Sequence, residues 1–452
     1  MIKVVGIIPK NKKKEGFGMR KIKSISIFIL VFFVTAALIL SVSVPMAVAA
    51  PEGAPAELKV GYVDFLSGAA GLFGMSTKVT TEFLVDKWNK EGGIRGVPIK
   101  VMILDEAGGA KKQVTEFRRM VLEEKVDAVV GYTSSANCLA IAPVAEELKT
   151  LTVAHICGTH RLTEDLDLKY TFRTSNNQAS DSVVLARYLM KAKPDAKTVA
   201  AINDDYAWGR DSWETFIDAW QKLRKNAGMP PLEVKTTLWP KLQAGEYSAE
   251  ISKLLMAKAD VIHSSMWGGG LVSFVKQAAP RGLFKQSTVV LSTGESVLQD
   301  VKDAMGDGVV ALPRLTAGYF LDPDPATDPE QKAYVEGYVK LSGGRYPDYP
   351  SYRCYQAWAG LKAAYEKAID ILGRWPTTEE VARAFEGLVY EVPGGTVVMR
   401  PDHQGVSAGL IGVTKMSDKY GFPILVDRVR ISAEEMTPPY GVKTYDWLKT
   451  LK

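Results

Sequence analysis

The sequence predicts an α/β fold: two Rossmann-like domains in tandem, each an open parallel sheet with helices on both faces. Three observations predict it. The chain has 452 residues, more than one hydrophobic core usually serves. Its composition, 46% hydrophobic and 24% charged, is that of a globular protein. Short β-branched runs alternate with helical patterns along most of its length, as a parallel sheet with crossover helices requires.

The elements follow in order. "LKVGYVDF" reads as a first strand, followed by a helix over about residues 76–91. "PIKVMILD" is the second strand, residues 111–124 a second helix, "DAVVG" a third strand leading into a helix, and "TLTVAHI" a fourth strand. After about Arg173 the architecture repeats without repeating the sequence. "TVAAIN", "LEVKTTLW", "DVIHSS", "STVVLS" and "GVVAL" are strands, with helices through "WETFIDAWQKLRKN" and "SAEISKLLMAK" between them. From about Asp328 come two long helices, a short one near residues 378–386 and Gly- and Pro-rich strands. These are too few for a third core, so they should complete the two domains, and the chain must cross between them more than once.

The first fifty residues are of another kind. A basic run ending at Lys23 precedes the apolar block "ISIFILVFFVTAALILSVSV", and Ala47, Ala49 and Ala50 follow. That order predicts a secretory signal peptide cut after Ala49, with Met19 an alternative start. The block is also about long enough to span a bilayer, so an uncleaved anchor is the competing reading. Without residues 1–49 the chain holds 48 basic and 50 acidic residues, and the formal charge of +5 becomes −2. The positive residues are interspersed with negative ones, which excludes a nucleic-acid footprint. Three cysteines, Cys138, Cys157 and Cys354, do not make a disulfide scaffold. Two alternatives stand: a Cys138–Cys157 bridge, each residue lying just past a strand end, or three buried thiols.

Open parallel sheets bind ligands at the carboxyl ends of their strands, and the candidate residues lie in the loops there. In "VVGYTSSANC" a strand ends at Gly131 and a helix begins near Ala136, so Ser134, Ser135 and the backbone N–H groups of the first turn suit a carboxylate. A hydroxyl there also serves as an ordinary helix cap. In "HICGTHRLT", Gly158 allows close backbone approach and Thr159 is a further donor beside Cys157. His155, Cys157 and His160 match no standard zinc spacing, so no metal or cofactor is expected. Phe73 in "FLSGAAGLFG" suits a pocket wall, as do Tyr206 and Trp208 in "NDDYAWGRD" and Trp267 in "SSMWGGG". Glu295 in "LSTGES" suits a cation. No nucleotide-binding glycine motif, nucleophile elbow or acid–base constellation is present, which speaks against an enzyme.

In this order the loops resemble the periplasmic binding proteins of branched-chain amino acid ABC transporters, the leucine-binding-protein family. The resemblance runs from about Leu58 to Lys415, and "NKEGGIRG" and "YTFRT" are its most diagnostic stretches. It implies a type I periplasmic binding fold: two lobes joined by a three-crossover hinge, closing on a ligand. The first lobe would comprise residues 58–174 and about 315–405, the second 175–314 and about 406–450. The family's carboxylate-gripping serine falls on Ser135 beside Ser134, its threonine loop on Cys157, Gly158 and Thr159, its aromatics on Trp208 and Trp267, and its amine-binding glutamate on Glu295. One departure is Gln178, in "SNNQ", where amino-acid binders often carry a carboxylate. The implied protein is a periplasmic monomer that delivers a small polar solute, an amino acid or amide, to ABC transporter permease subunits. Alternatives are a sensor ectodomain of the same fold and a binder of aromatic or keto acids.

Overall fold

The computed structural model describes residues 49–311 and 328–452. The leader lies outside the described residues, and so does the expected second crossing between lobes. No helix among the described residues is long and apolar enough to cross a membrane.

The first sheet is made of β1 (Leu58–Asp64), β2 (Ile99–Asp105), β3 (Ala128–Gly131), β4 (Leu151–Ala154) and β5 (Thr171–Arg173). They lie in the order β2-β1-β3-β4-β5, all parallel. Leu58, Val60, Tyr62 and Val63 of β1 are all fully buried, because the strand is covered on both faces. The covering helices are α1 (Gly71–Lys90), α2 (Gly109–Leu122) and α3 (Ser135–Leu148). Helix α1 starts five residues earlier than the sequence pattern suggests. Its first turn lies directly on the backbone after β1, where a Cβ at Gly74 would sit 1.7 Å from the Phe65 carbonyl oxygen. The glycines that read as a loop are what let the helix start there.

The chain then passes through α5 (Gln178–Ala192), preceded by the single-turn α4 (Arg161–Glu164), into the second sheet. That sheet contains β6 (Thr198–Ile202), β7 (Glu233–Leu238), β8 (Val261–Ser264), β9 (Thr288–Leu291) and β10 (Val310–Ala311). Helices α6 (Ala207–Asn226), α7 (Ser248–Ala257) and α8 (Gly268–Ala278) alternate with its strands. Helices α9 (Pro329–Leu341), α10 (Tyr349–Leu372) and α11 (Thr378–Phe385) follow, then the antiparallel strands β11 (Val389–Val392), β12 (Gly395–Met399) and β13 (Gly405–Val406). Helix α10 packs on the first sheet's side, where Trp358 Nε1–H donates to Thr81 Oγ1 of α1 at 2.9 Å. Strands β14 (Gly409–Ser417) and β15 (Phe422–Ile431) then extend the second sheet, β14 antiparallel to β10 and β15 antiparallel to β14, giving β15-β14-β10-β9-β8-β6-β7.

Two passages between the sheets lie side by side and are stitched together. The buried Arg173 guanidinium donates to the carbonyls of Cys157, at 2.8 Å, and Thr159, and its Nε donates to Gln404 Oε1 at 3.0 Å. Asn176 and Ser407 exchange two hydrogen bonds of 2.9 and 3.0 Å. A buried guanidinium needs such acceptors, and these fix the joint at which the two sheets meet.

Candidate functional site

The carboxyl ends of both sheets face one narrow cavity with only about 10 Å3 of free space, far below the 300–1,000 Å3 of ordinary ligand pockets, so the lobes must part to admit a solute. On the first-sheet side it is lined by Phe73, Thr133, Ser135, Ile156, Gly158 and Tyr349. On the other side stand Tyr206, Trp208, Trp267 and Thr293. Phe73 lies 4.9 Å from Trp267 across the cavity and 5.4 Å from Tyr349 on its own side, centroid to centroid. Both tryptophans are anchored. Trp208 Nε1–H donates to the Ser265 carbonyl at 2.7 Å, and Trp267 Nε1–H to the Tyr206 hydroxyl at 2.9 Å. Trp208 lies on Gly158, where a Cβ would meet its ring at 2.2 Å.

The polar end is built from the turn before α3, and its support is a residue the sequence pattern does not single out. Glu106, just past β2 and fully buried, accepts from the Thr133 N–H at 2.7 Å, the Ser134 N–H at 2.8 Å and Asn137 Nδ2 at 2.9 Å. Part of the anion-binding capacity of this helix N-terminus is therefore filled from within. Burial and the Asp64 carboxylate push the Glu106 carboxyl up to about 8. Asp64, also fully buried, accepts from Thr133 Oγ1 at 2.9 Å and Thr77 Oγ1 at 2.5 Å, with His155 Nε2 at 3.3 Å.

Phe73, Ser135, Gly158, Tyr206, Trp208 and Trp267 come together on the cavity; the other candidates are placed elsewhere. Ser134 caps α3, accepting from the Asn137 N–H. Cys157 is joined to Cys138, their Cα atoms 6.1 Å apart, while Cys354 is a buried free thiol. The bridge takes Cys157 into the core beside α3. Thr159 differs from the sequence expectation of a donor to the ligand: its hydroxyl donates to Asp211 of α6 at 2.7 Å and its N–H to Ser135 Oγ at 3.2 Å. Gln178 begins α5 and pairs with His160 Nδ1 at 2.6 Å, away from the cavity. Glu295 is buried beside the cavity but does not line it. Its carboxyl accepts the Tyr349 N–H at the start of α10, at 2.8 Å. Burial, then Asp348, hold that carboxyl well above the usual carboxylate range. Thr133, Ile156, Thr293 and Tyr349 are lining residues that the sequence reading missed.

The buried carboxyls give the stability a definite pH dependence. Asp204 is pushed to about 7 by burial, joining Glu106 near 8 and Glu295. Carboxyls raised above their unfolded values stabilise the fold at low pH, and this contribution is lost as pH rises through their folded values. His160 and His263, lowered to about 4 and about 3 by burial, act in the opposite sense, but only below about 6.5, where the unfolded imidazoles charge. The melting temperature should therefore fall by several degrees between about pH 6.5 and 9. Calorimetric scans measure it, and a flat or rising profile would contradict these assignments.

Comparison with known proteins agrees with this architecture. Residues 57–418 match the family described as Periplasmic binding protein. The Leu/Ile/Val-binding protein homolog 4 of Brucella melitensis is 24% identical over 372 residues, 79% of this chain and 84% of that protein. Leu/Ile/Val-binding protein BraC3 of Rhizobium johnstonii is 28% identical over 46% of this chain and 54% of its own length. A solute-binding protein of an ABC transporter from Rhodopseudomonas palustris BisB5, in complex with 3,4-dihydroxybenzoic acid, superposes with a TM-score of 0.72 at 23% identity, covering 86% of this chain and all of that one. The branched-chain amino acid transporter substrate-binding protein LivJ of Streptococcus pneumoniae, in complex with isoleucine, gives 0.68 at 17% identity, covering 83% and 99%. With its two α/β lobes of mostly parallel sheet and the cavity between their strand ends, the chain belongs to the periplasmic binding protein family.

Proposed function

We propose that the cleft holds a small, flat organic acid with its ring among Phe73, Trp208, Trp267 and Tyr349 and its carboxylate toward Ser135 and the first turn of α3. One observation carries this reading: the cavity is lined by rings and hydroxyls and by no charged side chain. An α-amino acid brings an ammonium group, and a buried ammonium needs a counter-charge. Glu295 is the carboxyl nearest that role, and it already receives the Tyr349 N–H. The fold itself accommodates both classes, since its relatives include one in complex with 3,4-dihydroxybenzoic acid and one with isoleucine.

The protein works as an extracytoplasmic monomer, exported by its leader, that hands the solute unchanged to the permease subunits of an ABC importer. It performs no chemistry on it. In this reading one lobe comprises residues 58–174 with the α9–β13 region and the other residues 175–311 with β14, β15 and the residues after them, a division that the membership of the two sheets supports. Mass spectrometry of the solute released from protein purified without refolding tests the class. An aromatic acid is expected; an amino acid would overturn it. Glu295→Gln separates the same readings, because an amide keeps the Tyr349 contact of a protonated acid. Affinity should change less than about threefold, whereas loss of a buried charge partner would cost about 2–4 kcal/mol, roughly thirty- to a thousand-fold.

A further inference from the structure

Helix α8 opens with three consecutive glycines, Gly268, Gly269 and Gly270, directly after the cavity residue Trp267. Glycine is a poor helix former beside alanine, so three in one turn call for a physical reason. Two of them have a reason within their own lobe. Gly268 sits at φ +56, in the left-handed region. Gly270 donates its N–H to Gln243 Oε1 at 2.6 Å, and a Cβ there would lie 3.0 Å from both that oxygen and the Tyr247 hydroxyl. Gln243 also donates to the Trp267 carbonyl at 3.0 Å, fastening this part of the turn to the second lobe, although a Cβ on Gly268 would also lie 3.2 Å from the Ala69 carbonyl oxygen.

Gly269 has its reason in the other lobe. Its N–H donates to the carbonyl oxygen of Ala69 at 2.9 Å, and Ala69 lies in the loop between β1 and α1. A Cβ on Gly269 would sit 2.9 Å from that oxygen and 3.0 Å from the Ala69 Cβ. We propose that Gly269 governs closure of the cleft. Its N–H and the Ala69 carbonyl form a backbone latch across the rim, and the missing side chain lets the two lobes approach closely enough to make it. The proposal rests on the reading that the lobes close over a solute. When they part, both groups turn to water and a side chain at residue 269 leaves its three nearest neighbours, all atoms of Ala69, so the position acts on closure more than on the fold of either lobe.

Small-angle scattering and calorimetry on the parent, Gly269→Val and Gly270→Ala test it, with 4-hydroxybenzoate and L-leucine as probes. The parent should compact with the probe it binds. Gly269→Val should bind that probe at least about tenfold more weakly and stay extended at concentrations that compact the parent, while its melting temperature without solute stays within about two degrees of the parent's. Gly270→Ala should do the reverse, melting lower because its Cβ presses on its own lobe. In a Gly269→Ala background, Ala69→Gly should restore part of the affinity by removing the contact between the two Cβ atoms. A Gly269→Val protein that compacts and binds like the parent would overturn the latch, as would a parent that binds with no change of dimensions. A parent that binds L-leucine and not 4-hydroxybenzoate would overturn the ligand class proposed above, and the comparison of variants would then be read with leucine.

Discussion

Glu106→Ala is expected to destabilise the protein by about 3–5 kcal/mol, the largest loss foreseen for any single side chain near the cleft. The carboxyl satisfies two backbone N–H groups at the start of α3 and the amide of Asn137, all buried, and alanine would leave these donors with no partner and no water. The site would suffer with the fold, because the same turn positions Thr133 and Ser135. Glu106→Gln is the control. Its amide oxygen can still accept from the Ser134 N–H and Asn137 Nδ2, but its amide nitrogen cannot accept the Thr133 N–H, so the substitution should cost about 1–3 kcal/mol, less than alanine. Urea denaturation of both variants at pH 6 measures the difference. Equal losses would mean that the carboxyl is charged in the folded protein.

Gly158→Ala should weaken binding of a cleft solute by about 1–3 kcal/mol, roughly five- to 150-fold, through a single added methyl group. The new Cβ would lie 2.2 and 2.3 Å from two atoms of the Trp208 ring. The ring has little room to yield, because its N–H is held by the Ser265 carbonyl and it is 4% exposed. Either the lobes stay slightly apart or the tryptophan leaves its place, and both remove contacts that favour the closed state. Calorimetry on Gly158→Ala, Trp208→Ala and the double variant resolves the cause. The double variant should bind no worse than Trp208→Ala alone, and strictly additive losses would show that the two residues do not meet.

Much of the fold was legible because it is written in local pattern. Strands buried on both faces read as continuous apolar runs, and the order of strands and helices then limits the topology. Phe73, Ser135, Gly158, Trp208 and Trp267 were legible as cavity-lining residues because each follows a strand end, where an open sheet collects its loops. Tyr349 was not, since it opens a helix more than two hundred residues from Ser135 and enters the cleft only through the way α10 packs. Glu106 did carry a signal, an acid directly past β2 in "ILDEAGG", but nothing in spacing says that β2 lies beside β1 with its end facing the turn of β3. Thr159 and Glu295 illustrate the converse. Their positions along the chain suit a ligand, and the structure gives their polar atoms to Asp211 and to the Tyr349 N–H.

In the reading proposed above, this cleft selects a flat acid by its rings and by the first turn of α3, with no charged side chain facing the solute. Competition calorimetry at pH 7, titrating the parent with 4-hydroxybenzoate before and after saturation with L-leucine, tests it most directly. One-to-one binding of 4-hydroxybenzoate that leucine does not displace is expected. Tight binding of leucine that excludes 4-hydroxybenzoate would contradict it and return Glu295 to the role of an ammonium partner.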